Sequence, residues 1–179
     1  MVSLRLFISC AIPEEVADAV KQLAEKIPKS ANFSVPNNID LTLKFLGTTP
    51  DTKLEDIKKR LSAIEFKPFT ATMDSIGVFS PKQPRVVWAG VQPVAEFAKL
   101  HDQIERALQG VFPPDKRFRP HLTVARVKSM ADTQAFLGAV SKIKVKPVSW
   151  QMDKFILFLS TLDPRGAMHT PLLEISAKN

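Results

Sequence analysis

PHLTVARV, residues 120–127, and IDLTLKFL, residues 39–46, are the two stretches that decide how this chain folds. Each alternates polar and apolar residues at a period of two, the pattern of a half-buried strand. Each also carries a polar residue followed by Leu, Thr and an apolar residue: Asp40-Leu41-Thr42-Leu43 in one, His121-Leu122-Thr123-Val124 in the other. Asp40 and His121 stand 81 positions apart, close to half the chain. A helical unit precedes each strand. The echo predicts two similar lobes packed about a pseudo-twofold axis, with both short motifs at one central cleft.

Side chains two positions apart on a strand share a face. His121 and Thr123 therefore point the same way, as do Asp40 and Thr42, while Leu41, Leu43, Leu122 and Val124 turn toward packing. An imidazole moves protons near neutral pH, and a threonine hydroxyl donates to a phosphate oxygen, so the pair suits a phosphate half-site. Arg126 would add a fork of donors. Strict alternation sets Arg126 on the opposite face from His121, so its use needs a bulge or a strand end.

Outward from these strands the chain alternates between the two periodicities. Residues 2–10 read as a strand. Pro13, Glu14 and Glu15 then open a helix with Val16, Val20, Leu23 and Ile27 on one face. Leu54, Ile57, Leu61 and Ile64 mark a second helix, and Val94, Phe97, His101, Ile104 and Leu108 a third. Residues 69–79 and 85–90 read as strands around a turn holding Pro81 and Pro84. Residues 131–140 suit a short helix, and 143–151, 154–160 and 171–177 the last strands. Strands mixed with helices in this way predict an α+β fold with two antiparallel sheets, helices outside, and residues 1–179 forming a single bilobal domain.

Composition bounds the function. The chain has 179 residues, 45% hydrophobic and 24% charged, which suits a globular domain and excludes disorder and collagen. No apolar run approaches the ~20 residues of a membrane span. The opening MVSLRLFISCAIPEE lacks a basic leader and a cleavage site, so it reads as a strand of a cytoplasmic protein. The single cysteine, Cys10, forbids an internal disulfide and reads as a small core hydrophobe. Net charge is +7, with a pI near 9.6, which favours an anionic partner. Lys116, Arg117, Arg119, Arg126 and Lys128 crowd one stretch around Phe118 and His121, a mixture suited to nucleotide contact.

Other chemistries find little support. The three histidines and one cysteine have no metal-ligand spacing. There is no Gly-rich phosphate loop and no nucleophile elbow. No metal and no cofactor are expected. His101 lies on a helix's apolar stripe and reads as a core residue. His169 falls in DPRGAMHTP and reads as a turn or surface residue. Trp88 and Trp150 read as core or edge residues.

From end to end the chain resembles the two-histidine (2H) phosphoesterase superfamily, and within it the RNA 2′,3′-cyclic phosphodiesterases, also called 2′-5′ RNA ligases. The resemblance rests on LRLFISCAIPEEV, LTLKFLG, SIGVFSPKQPRVVWAGV, RPHLTVARVK and STLDPRGAMHTPL, in that order. It implies a bilobal fold around a basic groove where two His-x-Thr motifs face each other. It implies opening of a 2′,3′-cyclic phosphate RNA end to a 2′-phosphate without metal; the chain is expected to act as a monomer. Matched by position, His121 is the histidine that activates water, Thr123 its phosphate-binding partner and Arg126 the following basic residue. Thr42 matches the first threonine. The first catalytic histidine is replaced by Asp40, and His169 stands where relatives often carry tyrosine.

The resemblance makes position 40 the general acid. An aspartate of ordinary pKa, ~3.9, is protonated in about one molecule per thousand at pH 7. Serving as an acid requires a rise of about 3 units, or ~4 kcal/mol, against a basic groove that favours the carboxylate. General acid catalysis is worth roughly 10²–10⁴-fold. The expectation is therefore a hydrolase weakened at this position, with a non-catalytic RNA- or nucleotide-binding module as the alternative and a protein-interaction scaffold as a third reading. If His169 is to replace the missing imidazole, it must lie within about 8 Å of the cleft phosphate position, because direct proton transfer needs hydrogen-bond reach.

Overall fold

A computed structural model describes all 179 residues. In chain order the elements are β1 (Ser3–Cys10), α1 (Glu14–Glu25), β2 (Ala31–Ser34), β3 (Leu41–Pro50), α2 (Leu54–Ser62), β4 (Phe69–Phe79), β5 (Val86–Gln92), α3 (Val94–Ala107), β6 (His121–Met130), α4 (Thr133–Ser141), β7 (Val148–Met152), β8 (Lys154–Asp163) and β9 (Gly166–Ser176). They form a four-stranded sheet, β3-β1-β8-β9, and a five-stranded sheet, β2-β6-β5-β4-β7. Every strand pairing is antiparallel. The expected α+β architecture with two antiparallel sheets is what the chain adopts.

The order β3-β1-β8-β9 in one sheet repeats as β6-β5-β4-β7 in the other, with β2 added outside β6. Strands cross between the halves of the chain, β2 and β4 into the five-stranded sheet and β8 and β9 into the four-stranded one. β4 joins β5, and β8 joins β1. Neither lobe's sheet is therefore complete without the other half of the chain.

The helices follow their apolar stripes. Val16, Val20, Leu23 and Ile27 are buried, and α1 lies on β6 and β7. Ile57 and Leu61 on α2, and Phe97, Leu100 and Ile104 on α3, have no more than 1% of their surface exposed. α3 rests on β3, and α4 on β4. Asp132 caps α4, its carboxylate accepting the Ala135 N–H at 2.9 Å. Leu41, Leu43, Leu122 and Val124 are all buried in one hydrophobic core, as their alternation predicts. Cys10 is buried there too, and burial raises its thiol pKa. No helix is long and apolar enough to cross a membrane.

Several elements differ from their sequence reading. Val94 is exposed, because it opens α3 before the helix settles on the sheet. β7 begins at Val148 rather than residue 143. β2, only four residues long, gave no periodic signal. DPRGAMHTP is mostly strand: Pro164 and Arg165 make the turn, and His169 lies on β9 opposite Ser160. Asp40 precedes β3 rather than belonging to it. β1 ends at Cys10 opposite Leu41, so residue 40 has no ladder partner there.

Candidate active site

A groove of about 1020 Å³ lies between the two sheets, and Asp40, Thr42, His121, Thr123 and Arg126 all line it. Two β-bulges account for this convergence. On β6, Trp88 faces Thr123 while Val87 faces Ala125, so Val124 is the extra residue. Val124 and Ala125 are then both buried, and Arg126 returns to the groove face with His121 and Thr123. The strict alternation read from the sequence fails at this point. On β3 the same defect recurs, with Ser9 facing Thr42 and Ile8 facing Lys44. Leu43 and Lys44 are both buried, and Phe45 emerges at the place equivalent to Arg126.

His121 is held from behind. Its Nδ1 lies 2.7 Å from the Arg119 carbonyl oxygen. A carbonyl only accepts, so Nδ1 carries the hydrogen and Nε2 is left bare as a proton acceptor. The ring sits edge-on to Phe79, with centroids 5.0 Å apart. Burial pushes His121 below the ordinary histidine value, and the Arg119 and Arg126 cations push the same way, while the bond to the Arg119 carbonyl partly opposes them. The shift favours the neutral imidazole, the form a general base requires. The Arg119 guanidinium lies over the Trp88 ring, 4.6 Å from its centroid.

The opposite wall differs. Asp40 Oδ2 lies 3.2 Å from His169 Nδ1. Burial pushes the Asp40 carboxyl above the usual carboxylate range, and His169 pulls it part of the way back. The basic groove, expected to dominate, does not decide the direction. His169 packs edge-on against Phe7, centroids 4.6 Å apart. The segment before β3 is tied to the β8–β9 hairpin: Asn37 Nδ2 donates to the Arg165 carbonyl and Asn38 Nδ2 to the Ala167 carbonyl, each at 2.8 Å. Gly166 permits this approach. Its φ is +131°, and a Cβ there would stand 2.3 Å from Asn37 Nδ2.

Beneath the groove, Lys44 is buried with its ammonium 2.5 Å from Glu105 Oε1, 3.1 Å from Asp115 Oδ1 and 3.1 Å from the Pro113 carbonyl. His101 joins this cluster, its Nε2 3.0 Å from Asp115 Oδ2, and stacks on Phe118 with centroids 4.2 Å apart. His101 is buried, as its stripe predicts, yet it anchors a loop as well as packing. His101, Glu105 and Asp115 bring ligand-type atoms within 4.8 Å of one another, a grouping that linear spacing did not reveal. The Lys44 ammonium supplies the positive charge there. The cluster fastens the Pro113–Arg119 loop to β3.

Lys116, Arg117, Arg119 and Arg126 line the groove, whereas Lys128 is exposed further along β6 and does not. Arg5 on β1 also lines it and was missed by the sequence reading, as were Lys44 and the placement of His169. Arg5 and Lys44 carry no local signal beyond their charge, because only strand pairing brings them here.

A family model described as the 2′-5′ RNA ligase superfamily matches residues 12–163. The chain belongs to this superfamily. Among superfamily proteins, one from Archaeoglobus fulgidus named RNA 2′,3′-cyclic phosphodiesterase is 35% identical over 174 residues, covering 94% of this chain and 98% of its own. A Thermotoga maritima protein of the same name is 32% identical, covering 96% and 94%. The crystal structure of Escherichia coli LigT complexed with 3′-AMP superposes with a TM-score of 0.76 at 25% identity, covering 99% of this chain and 100% of that one.

Proposed function

We propose that this superfamily member is an RNA 2′,3′-cyclic phosphodiesterase, opening a 2′,3′-cyclic phosphate end to a 2′-phosphate without a metal. The reading is carried by His121, a neutral imidazole of fixed tautomer lining a cationic groove beside Thr123 and Arg126. The names of the Archaeoglobus and Thermotoga relatives support it, and the 3′-AMP held by LigT supports a nucleotide ligand.

His121 Nε2 takes a proton from water, whose oxygen attacks phosphorus as the bond to the 3′ oxygen breaks. Thr42 and Thr123 donate to non-bridging oxygens. Arg126 holds the charge that builds on them. One chain supplies both walls of the groove, which suits a monomer acting on RNA ends, with residues 1–179 working as one bilobal unit.

Single-turnover opening of a cyclic-phosphate RNA end in chelator tests the reading. His121→Ala is expected to slow it roughly 10²–10⁴-fold, and unchanged turnover would overturn it. Asp40 at the first motif favours a second reading, a binding module on the same fold. It predicts salt-dependent retention of phosphorylated ends with no turnover in the unaltered chain.

A further inference from the structure

Breaking the bond to the 3′ oxygen requires a proton on that oxygen, delivered from the side of the groove opposite His121. The internal echo sets Asp40 there, a group that as an anion would repel the phosphate. Asp40 is not alone, however. His169 reaches it from β9, with Nδ1 3.2 Å from Oδ2.

This meeting is built into the fold. The Asn37 and Asn38 side chains bind the segment carrying Asp40 to the hairpin carrying His169, and Phe7 and Phe158 flank the ring. His169 Nδ1 is sealed from solvent and faces the Asp40 carboxylate. With Nδ1 turned to Asp40, Nε2 is the ring nitrogen left to serve the groove, which His169 helps to line.

We propose that His169 is the general acid of this phosphodiesterase, and that Asp40 is the positioning residue that orients its ring and balances its charge. The inference rests on the phosphodiesterase reading above. Water loses one proton to His121 Nε2 and bonds to phosphorus. The P–O3′ bond breaks, and the 3′ oxygen takes the His169 Nε2 proton. A 2′-phosphate and a free 3′-hydroxyl result. His121 is left protonated and His169 neutral, and exchange with bulk water resets both. An imidazolium paired with Asp40 also removes the repulsion that a lone carboxylate would exert on the substrate.

The test compares a nucleoside 2′,3′-cyclic phosphate with its analogue bearing sulfur at the bridging 3′ position. A thiolate departs without a proton, since a free thiol has a pKa near ~8.5. His169→Ala and the more conservative His169→Gln are expected to lower kcat on the oxygen substrate roughly 10²–10⁴-fold and to recover on the sulfur substrate. His121→Ala is expected to stay slow on both. Asp40→Asn is expected to lower kcat with KM little changed, and also to recover on sulfur, which a merely structural role would not produce. Full activity of both folded His169 variants on the oxygen substrate would overturn the inference. Equal losses on both substrates would also overturn it, because His169 would then serve binding or structure. If the unaltered chain opened neither substrate, the phosphodiesterase reading itself would fall.

Discussion

His121 and Asp40 occupy matching places in the two halves of the chain, and burial drives both toward their neutral forms. For His121 that is productive, because a base must be unprotonated to act. The unfolded chain's histidine binds a proton near the ordinary value of about 6.5, while the folded one binds it only at lower pH. Between those values the unfolded state holds more protons, so stability rises with pH across the window and is lost as pH falls through it. His121→Asn removes this contribution. It is expected to lose less stability than the unaltered protein between pH 7 and pH 5, measured by urea denaturation, and equal losses would contradict the shift. An NMR titration of the His121 ring should show its midpoint below ~6.5.

The element that does most for the site is the bulged strand. β3 and β6 each carry an extra residue directly after the motif threonine, Leu43 in one and Val124 in the other. The two diverge one residue later. β6 buries Ala125 there, and β3 buries Lys44. A buried ammonium persists only with partners, and Glu105 and Asp115 supply them. Lys44→Ala leaves two carboxylates uncompensated beside His101. It is expected to cost about 3–5 kcal/mol in chemical denaturation. Because the cluster fastens the Pro113–Arg119 loop, the variant should also bind RNA ends more weakly under conditions where it remains folded. A loss below about 1 kcal/mol would place the cluster with ordinary surface pairs.

At the scale of the whole molecule, strand exchange between the lobes makes the groove. Because β4 and β8 each complete the other lobe's sheet, the two bulged strands face each other across a fixed gap. The groove concentrates positive charge, with Arg5 on one wall and Lys116, Arg117, Arg119 and Arg126 on the other. Binding of single-stranded RNA should weaken steeply with salt, by about 0.7 in the log–log slope for each phosphate neutralised. Lys116→Ala combined with Arg117→Ala is expected to flatten that slope by about 1.4 and to leave single-turnover opening at saturation little changed. Fluorescence anisotropy across a salt series would show it, and an unaltered slope would remove these two residues from the RNA path.

Periodicity and the internal echo, both local in the chain, determined most of the elements, the paired lobes and the inward face shared by His121 and Thr123. They also paired Asp40 with His121, and the family resemblance marked position 40 as one where a histidine is expected. The tertiary structure alone decided the rest. Arg126 joins its motif only because partner strands impose a bulge, and bulges leave no mark in an alternating pattern. His169 looked like a turn residue in DPRGAMHTP, yet the hairpin turn is only Pro164–Arg165 and the next strand carries His169 to Asp40. Lys44 drew no attention in the sequence, and only the bulged pairing with β1 turns it inward. Each of these depends on contacts between residues far apart in the chain, and spacing along a sequence does not record which distant strands will meet.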